Sequence, residues 1–445
     1  MWKTIPTPWS FMAAITRMLT VVFLFAILAV ARSQPRNIFL PVTKDQSTLQ
    51  YVTQIKLGTP PVSRSLVVDL GGRGPWIDCD QIYKSSTYKP VLCGSEVCSF
   101  SKIQFCFVCY ATQRPGCNNT RICDIIPINT VTNNFFIPAG ELATDKVSVK
   151  TFSGARSGPD VILPRLILSC APNALLEGLA AGTTGMAYLD GSPNGLPNQF
   201  SSAIGSRLPR IFALCLPSTP YKRGAILFGN PPYIFHANVN KSNQQDLSTE
   251  LTYTRLIINP DSPESIQRGV RSTEYYVSLK SILVNKMPVS FNSTLLTLAS
   301  GGTKISTAKP YTVLETSIYK SLASAFSKHM AAMKITKVAP VAPFTECFST
   351  DNLAYTALGP DVPVIGLTFE DGAAWEMYGY NSMAEVSKRA VCLAFVDGGS
   401  AMGTKVVIGG RQLEDVLLQF DLRASRLGFT RSLIWGDHAC ENFAA

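Results

Sequence analysis

The stretch SLVVDLGGRGPWIDCD, residues 65–80, reads as a strand that delivers a carboxylate to a tight turn. Leu66, Val67 and Val68 are apolar β-formers, Asp69 ends the run, and Gly71 and Gly72 follow almost at once. A single carboxylate does little acid–base chemistry alone. The reading of the whole chain therefore turns on where a second acid stands.

Working outward, the chain has 445 residues, of which 46% are hydrophobic and 16% charged. That composition belongs to a compact globular protein with room for two lobes. Met18–Val30 is a short apolar run preceded by Lys3 and Arg17 and followed by Ala31-Arg32-Ser33. Its order is that of a secretory signal peptide, placed at residues 1–33. The run is too short to span a bilayer comfortably, and no stop-transfer pattern follows. The 12 cysteines all lie beyond it, an even number that suits disulfides in an oxidising compartment. Six of them, Cys93, Cys98, Cys106, Cys109, Cys117 and Cys123, crowd one segment and read as a local disulfide knot rather than a metal or redox site. Sequons at Asn118, Asn240 and Asn292 agree with secretion. The formal charge of +10 falls to +7 when Lys3, Arg17 and Arg32 leave with the signal. A basic extracellular protein is drawn to polyanionic surfaces such as acidic polysaccharide, whereas the scattered cations carry no nucleic-acid motif.

Short β-rich segments such as YVTQIKLG, ILFGN, YYVSLKSILV and KVVIGG predict an all-β fold. Helical periodicity is strong at 317–333, where Ile318, Leu322, Phe326 and Met330 recur four apart, and a second helix is expected at 411–420. The polar, turn-rich segment 258–272 reads as a linker, giving an N-terminal lobe at 34–258 and a C-terminal lobe at 259–445. The halves echo each other. The Asp69 strand and GMAYLDG in the first match GGTKISTA and KVVIGG in the second, at similar intervals.

These strings resemble the pepsin-type aspartic proteases in their plant secreted form, across essentially the whole mature chain. The resemblance implies a bilobal fold of two related β-barrel-like lobes with a few short helices. In that family each lobe supplies an Asp-Thr/Ser-Gly turn, and the two carboxylates share one proton. One then acts as base on water while the other, protonated, polarises the scissile carbonyl. Here Asp69 is followed by Leu70-Gly71-Gly72 instead of the hydroxyl-bearing turn, so its orientation is expected to be poor. In place of a string of the type G-G-T-I-I-D-S-G the second half has GGTKISTA, which puts Ser306 where the second acid belongs. A serine hydroxyl does not share a proton as a carboxylate does. Asp190 and Asp397, both in Asp-Gly turns, read as solvated. The flap segment before Gly140-Glu141-Leu142 carries no tyrosine, with Thr132 near its place. His236, His329 and His438 stand in no catalytic or metal-ligand spacing and read as surface or helix residues, so neither a metal nor a cofactor is expected.

Within the non-catalytic members of this fold, the chain resembles the plant apoplastic group of TAXI-type xylanase inhibitors, xyloglucan-endoglucanase inhibitors, extracellular dermal glycoproteins and basic seed globulins. The match is carried by FLPVTKDQSTLQYVTQIKLGTP, GELATDKVSV, GGTKISTAKPYTVLETSIY and VVIGGRQLEDVLLQFDLRASRLGF. The resemblance implies the pairs Cys79–Cys170, Cys215–Cys440 and Cys347–Cys392, with the remaining six cysteines paired locally. It also implies secretion to the apoplast and cell wall, and inhibition of microbial endoglucanases or xylanases by loops of the C-terminal lobe. The expected loop arginines are absent: Met402, Gly403 and Lys405 stand at one loop and Met333, Lys334 and Lys337 at the other. Lysine lacks the planar fork that matches a carboxylate. A non-inhibitory binding or decoy protein, for a peptide, a polysaccharide or a pathogen protein, is the alternative reading, and a residually active protease a further one.

Overall fold

The computed structural model describes residues 37–80, 83–101, 105–108, 120–135, 140–204, 208–238, 240, 242–258, 260–261 and 271–443. The expected signal peptide, Cys109, Cys117, Asn118 and most of the expected linker lie outside these residues.

Each half is built around the strand that carries its turn. Val62–Asp69 pairs in parallel with Gly185–Tyr188, with Tyr188 opposite Asp69. Thr303–Ile305 pairs in parallel with Val406–Ile408, with Ile305 opposite Ile408. The next strand of each half repeats the pattern. Trp76–Asp78 runs antiparallel to Gly185–Tyr188 and parallel to the long strand Arg156–Ala171. Thr312–Leu314 runs antiparallel to Val406–Ile408 and parallel to Phe395–Asp397. The echo between the halves is thus a duplicated topology. Leu66, Val67 and Val68 are fully buried, as strands covered on both faces must be, which accounts for the unbroken apolar run of the opening stretch.

The two halves share one continuous sheet, because Ile211–Cys215 pairs antiparallel with Leu417–Asp421. At that seam Phe212 stacks on Phe420 with ring centroids 4.6 Å apart, and Tyr275 packs against Phe420 at 5.0 Å. Cys215–Cys440 ties the C-terminus to the same strand. The other disulfides among the described residues are Cys79–Cys170, Cys93–Cys106, Cys98–Cys123 and Cys347–Cys392.

The helix Thr316–Ala332 starts where the Glu315 carboxylate accepts from the N–H groups of Ser317 (2.8 Å) and Ile318 (3.3 Å). It buries Ile318, Leu322, Phe326 and Met330, the stripe read from the sequence. Lys334, with φ 61°, ends it in the left-handed region. The second expected helix does not form. Gly410–Leu413 makes one turn, Asp415 takes φ 48°, and Leu417–Asp421 is a strand of the seam. All five of its residues, Gln419 and Asp421 included, are buried, and pairing with two neighbouring strands outweighed helical spacing.

Asn240 and Asn292 are exposed, and each accepts from its sequon hydroxyl, Ser242 Oγ at 2.6 Å and Thr294 Oγ1 at 2.8 Å. Among the described residues no helix is long and apolar enough to cross a membrane.

Candidate functional site

The duplicated strands bring the two turns face to face at the floor of a cleft of about 490 Å³. Asp69 is 1% exposed. Its Oδ1 accepts from Ser306 Oγ, the Thr307 N–H and the Ala308 N–H, each at 3.1 Å. Thr307 Oγ1 lies 3.3 Å from the same oxygen but donates better to Val68 O at 2.8 Å. The carboxylate is therefore held by the opposing turn, which corrects the expectation that it is poorly oriented. The reason is physical: two of its donors are backbone N–H groups, which do not depend on which side chains the turn retains.

The turn after Asp69 packs directly on an aromatic ring. Gly72 has φ 100°, and a Cβ there would lie 2.4 Å from the ring of Tyr188. Tyr188 is buried and donates to the flap carbonyl of Ile128, which also receives Trp76 Nε1 at 2.9 Å. Burial pushes the Tyr188 hydroxyl far above its ordinary pKa, so it serves as a fixed donor. Thr132 does not stand over the cleft. Its methyl faces Gly178, and Thr130 and Asn133 line the cleft instead.

Two acids missed or misread from the sequence matter here. Glu274 lines the cleft and pairs with Lys304 at 2.9 Å, with Lys304 9% exposed. The strand pairing of Tyr275 with Ile305 brings these two segments together. The legible hint was Lys304 itself, a lysine in a buried strand two residues before Ser306 and so on the same face. Asp190 is no solvated turn: it is fully buried, and its carboxylate accepts from Ser192 N–H (2.6 Å) and Gly74 N–H (3.0 Å). Burial pushes its carboxyl up to about 7 despite those bonds. Asp397 is exposed and accepts from Thr316 Oγ1 at 2.7 Å.

Met402 and Gly403 line the cleft, and Lys405 Nζ donates to Met402 O. Met333 and Lys334 are exposed. Lys337 pairs with Glu346 at 2.7 Å. The structure does not bring the two groups into one patch. Lys405 O accepts the Glu315 N–H at the start of the helix Thr316–Ala332, whereas Met333 caps its far end, about 25 Å away at 1.5 Å per residue. Among the histidines, His438 is a correction: it is 3% exposed, with Nδ1 against His236 O and Nε2 against Gln245 Oε1, both at 3.0 Å. Among the described residues no cluster of His, Cys, Asp and Glu has the composition of a metal site.

Comparison with known proteins matches both halves. The xylanase inhibitor N-terminal family matches residues 51–230 and the xylanase inhibitor C-terminal family residues 274–431. The chain is 44% identical to "Probable aspartic proteinase GIP2" of Nicotiana benthamiana, over 92% of each chain. It is 37% identical to "Gamma conglutin 1" of Prunus dulcis, over 92% of this chain and 90% of that one. Among solved structures, "Crystal structure of edgp" superposes with a TM-score of 0.86 at 48% identity, covering 92% of this chain and 98% of that one. The soybean basic 7S globulin follows a similar path, with a TM-score of 0.78 at 32% identity and the same two coverages. With its duplicated pepsin-like topology and matches across both halves, the chain belongs to the TAXI-type xylanase inhibitor family of aspartic proteinase homologues.

Proposed function

We propose that this protein is a secreted, proteolytically silent aspartic protease homologue that inhibits microbial cell-wall glycosidases, endoglucanases or xylanases, in the plant apoplast. One observation carries the silent half of this reading: the Ser306 hydroxyl sits on Asp69 Oδ1 at 3.1 Å, in the place of a second carboxylate. Glu274 does not take over, since Lys304 holds it in an ion pair and a dyad needs one acid protonated.

The inhibitory half is supported by the family match and by the exposed tip Met333–Lys334. A glycosidase cleft carries paired acids. An ammonium pushed between them forms charge-assisted hydrogen bonds and excludes substrate. Inhibition of a fungal endoglucanase or xylanase is expected at micromolar excess of the purified protein, weakened about tenfold by Lys334→Ala. Full glycosidase activity at that excess sinks the inhibitor reading.

A second reading, a binding protein without inhibitory power, is favoured by the separation of the two candidate loops along the helix Thr316–Ala332. It is the reading left standing if no enzyme is inhibited.

A further inference from the structure

The cleft around Asp69 has a charge balance opposite to that of a catalytic acid pair. Four cationic side chains line it, Arg73, Arg271, Lys304 and Lys309, against the two carboxylates of Asp69 and Glu274. Lys304 is paired with Glu274 at 2.9 Å and Arg271 with Asp261 at 3.5 Å, while Asp69 is answered by Ser306 and two backbone N–H groups, so the ligand-facing charge rests chiefly on Arg73 and Lys309. Arg73 is exposed and follows Asp69 by four residues, directly after the first turn. Lys309 follows Ser306 by three residues on the opposing lobe, and its Nζ also donates to the flap carbonyl of Val131 at 3.3 Å. The cations therefore flank the floor from both sides of the cleft.

From this arrangement we infer that the cleft binds a carboxylated oligosaccharide, a short uronic acid oligomer. The site takes in Met402 and Gly403 of one C-lobe loop but none of the Met333–Lys337 segment, and the inference does not depend on glycosidase inhibition. Three features select the ligand class. A carboxylate on successive sugar units meets cations contributed by both lobes, with Arg73 offering the bidentate fork. Ser272, Thr273 and Thr404 line the cleft with hydroxyl oxygens that can accept from the ligand's own hydroxyls. An extended peptide, in contrast, needs apolar pockets for alternate side chains, and the apolar lining residues Ile128, Val313, Met402 and Val407 are outnumbered by polar and charged ones. The volume of about 490 Å³ falls in the usual range for small-ligand clefts.

The test is calorimetric titration of the purified full chain with trigalacturonate, its fully methyl-esterified form, and hexaglutamate. Each partly exposed charge contact is worth roughly 1 kcal/mol. Arg73→Gln and Lys309→Ala are therefore each expected to weaken trigalacturonate binding about fivefold. Lys388→Ala removes an exposed cation outside the cleft and is expected to change binding less than about twofold. The methyl ester is expected not to bind, and affinity for the acid is expected to fall with salt. Thermal melts check folding, and Arg73→Lys, which keeps the charge, is expected to restore part of what Arg73→Gln loses. Absence of trigalacturonate binding at millimolar concentration overturns the inference. So does an equal loss on Lys388→Ala, which means attraction to net charge alone, or tighter binding of hexaglutamate, which means an acidic peptide site.

Discussion

Replacing Gly72 by Ala is expected to destabilise the protein by about 3 kcal/mol, well beyond an ordinary glycine substitution. Two costs combine. The backbone at φ 100° is one that L side chains rarely adopt, and the new Cβ would stand 2.4 Å from Cγ and Cδ2 of Tyr188. That ring cannot step aside cheaply, because it is fully buried and its hydroxyl is bonded to Ile128 O. Gly94 provides the control. It has φ 76° but nothing within 4 Å of an ideal Cβ, so Gly94→Ala carries the backbone cost of about 1 kcal/mol alone. Urea unfolding of the two variants and of Gly72→Ala/Tyr188→Ala separates the terms. The double variant is expected to show a favourable coupling of about 2 kcal/mol. Equal destabilisation by Gly72→Ala and Gly94→Ala would mean that the Tyr188 ring does not pack tightly against the Gly72 turn.

The buried carboxyl of Asp190 sets the second large effect, on the pH dependence of stability. Its folded pKa of about 7 lies above the ordinary value of 3.8, so the native state keeps a proton that the unfolded chain releases. Its contribution is therefore fully present below about pH 4, declines as the pH rises to about 7, and is flat beyond. The ceiling, from three pH units at 1.36 kcal/mol each, is about 4 kcal/mol. Asp124, pushed up to about 6 by burial, acts in the same direction over a narrower window. Asp190→Asn imitates the protonated acid. Its melting temperature relative to the unaltered protein is expected to rise steadily between about pH 4 and about pH 7. A difference that is constant, or that falls with pH, contradicts a protonated Asp190 in the folded state.

The sites of these two effects show where sequence reading stops. The strand ending at Asp69, the turn that sets Ser306 opposite it and the long helix were all legible, because each is a local pattern of apolar spacing or a contiguous motif. Tyr188 was not, since only the parallel pairing of Val62–Asp69 with Gly185–Tyr188 places its ring over Gly72. Asp190 was misread because an Asp-Gly pair looks the same in a solvated turn and in a buried one. The support of Asp69 was misjudged for a related reason. Its donors include the Thr307 and Ala308 N–H groups, and backbone donors leave no mark in the residue types. The distance between the Met333–Lys337 and Met402–Lys405 segments was likewise hidden, since sequence separation says nothing of which end of a helix each loop meets.

The central claim, that a carboxylate facing a serine leaves the pepsin-like cleft without proteolysis, meets its most direct test in hydrolysis of denatured haemoglobin between about pH 3 and pH 5, where an acid dyad shares its proton. Purified protein is expected to release no more peptide than its Asp69→Ala variant. Hydrolysis by the unaltered protein that disappears in Asp69→Ala would contradict the account, because it would mean that Asp69 activates water without a second acid at position 306.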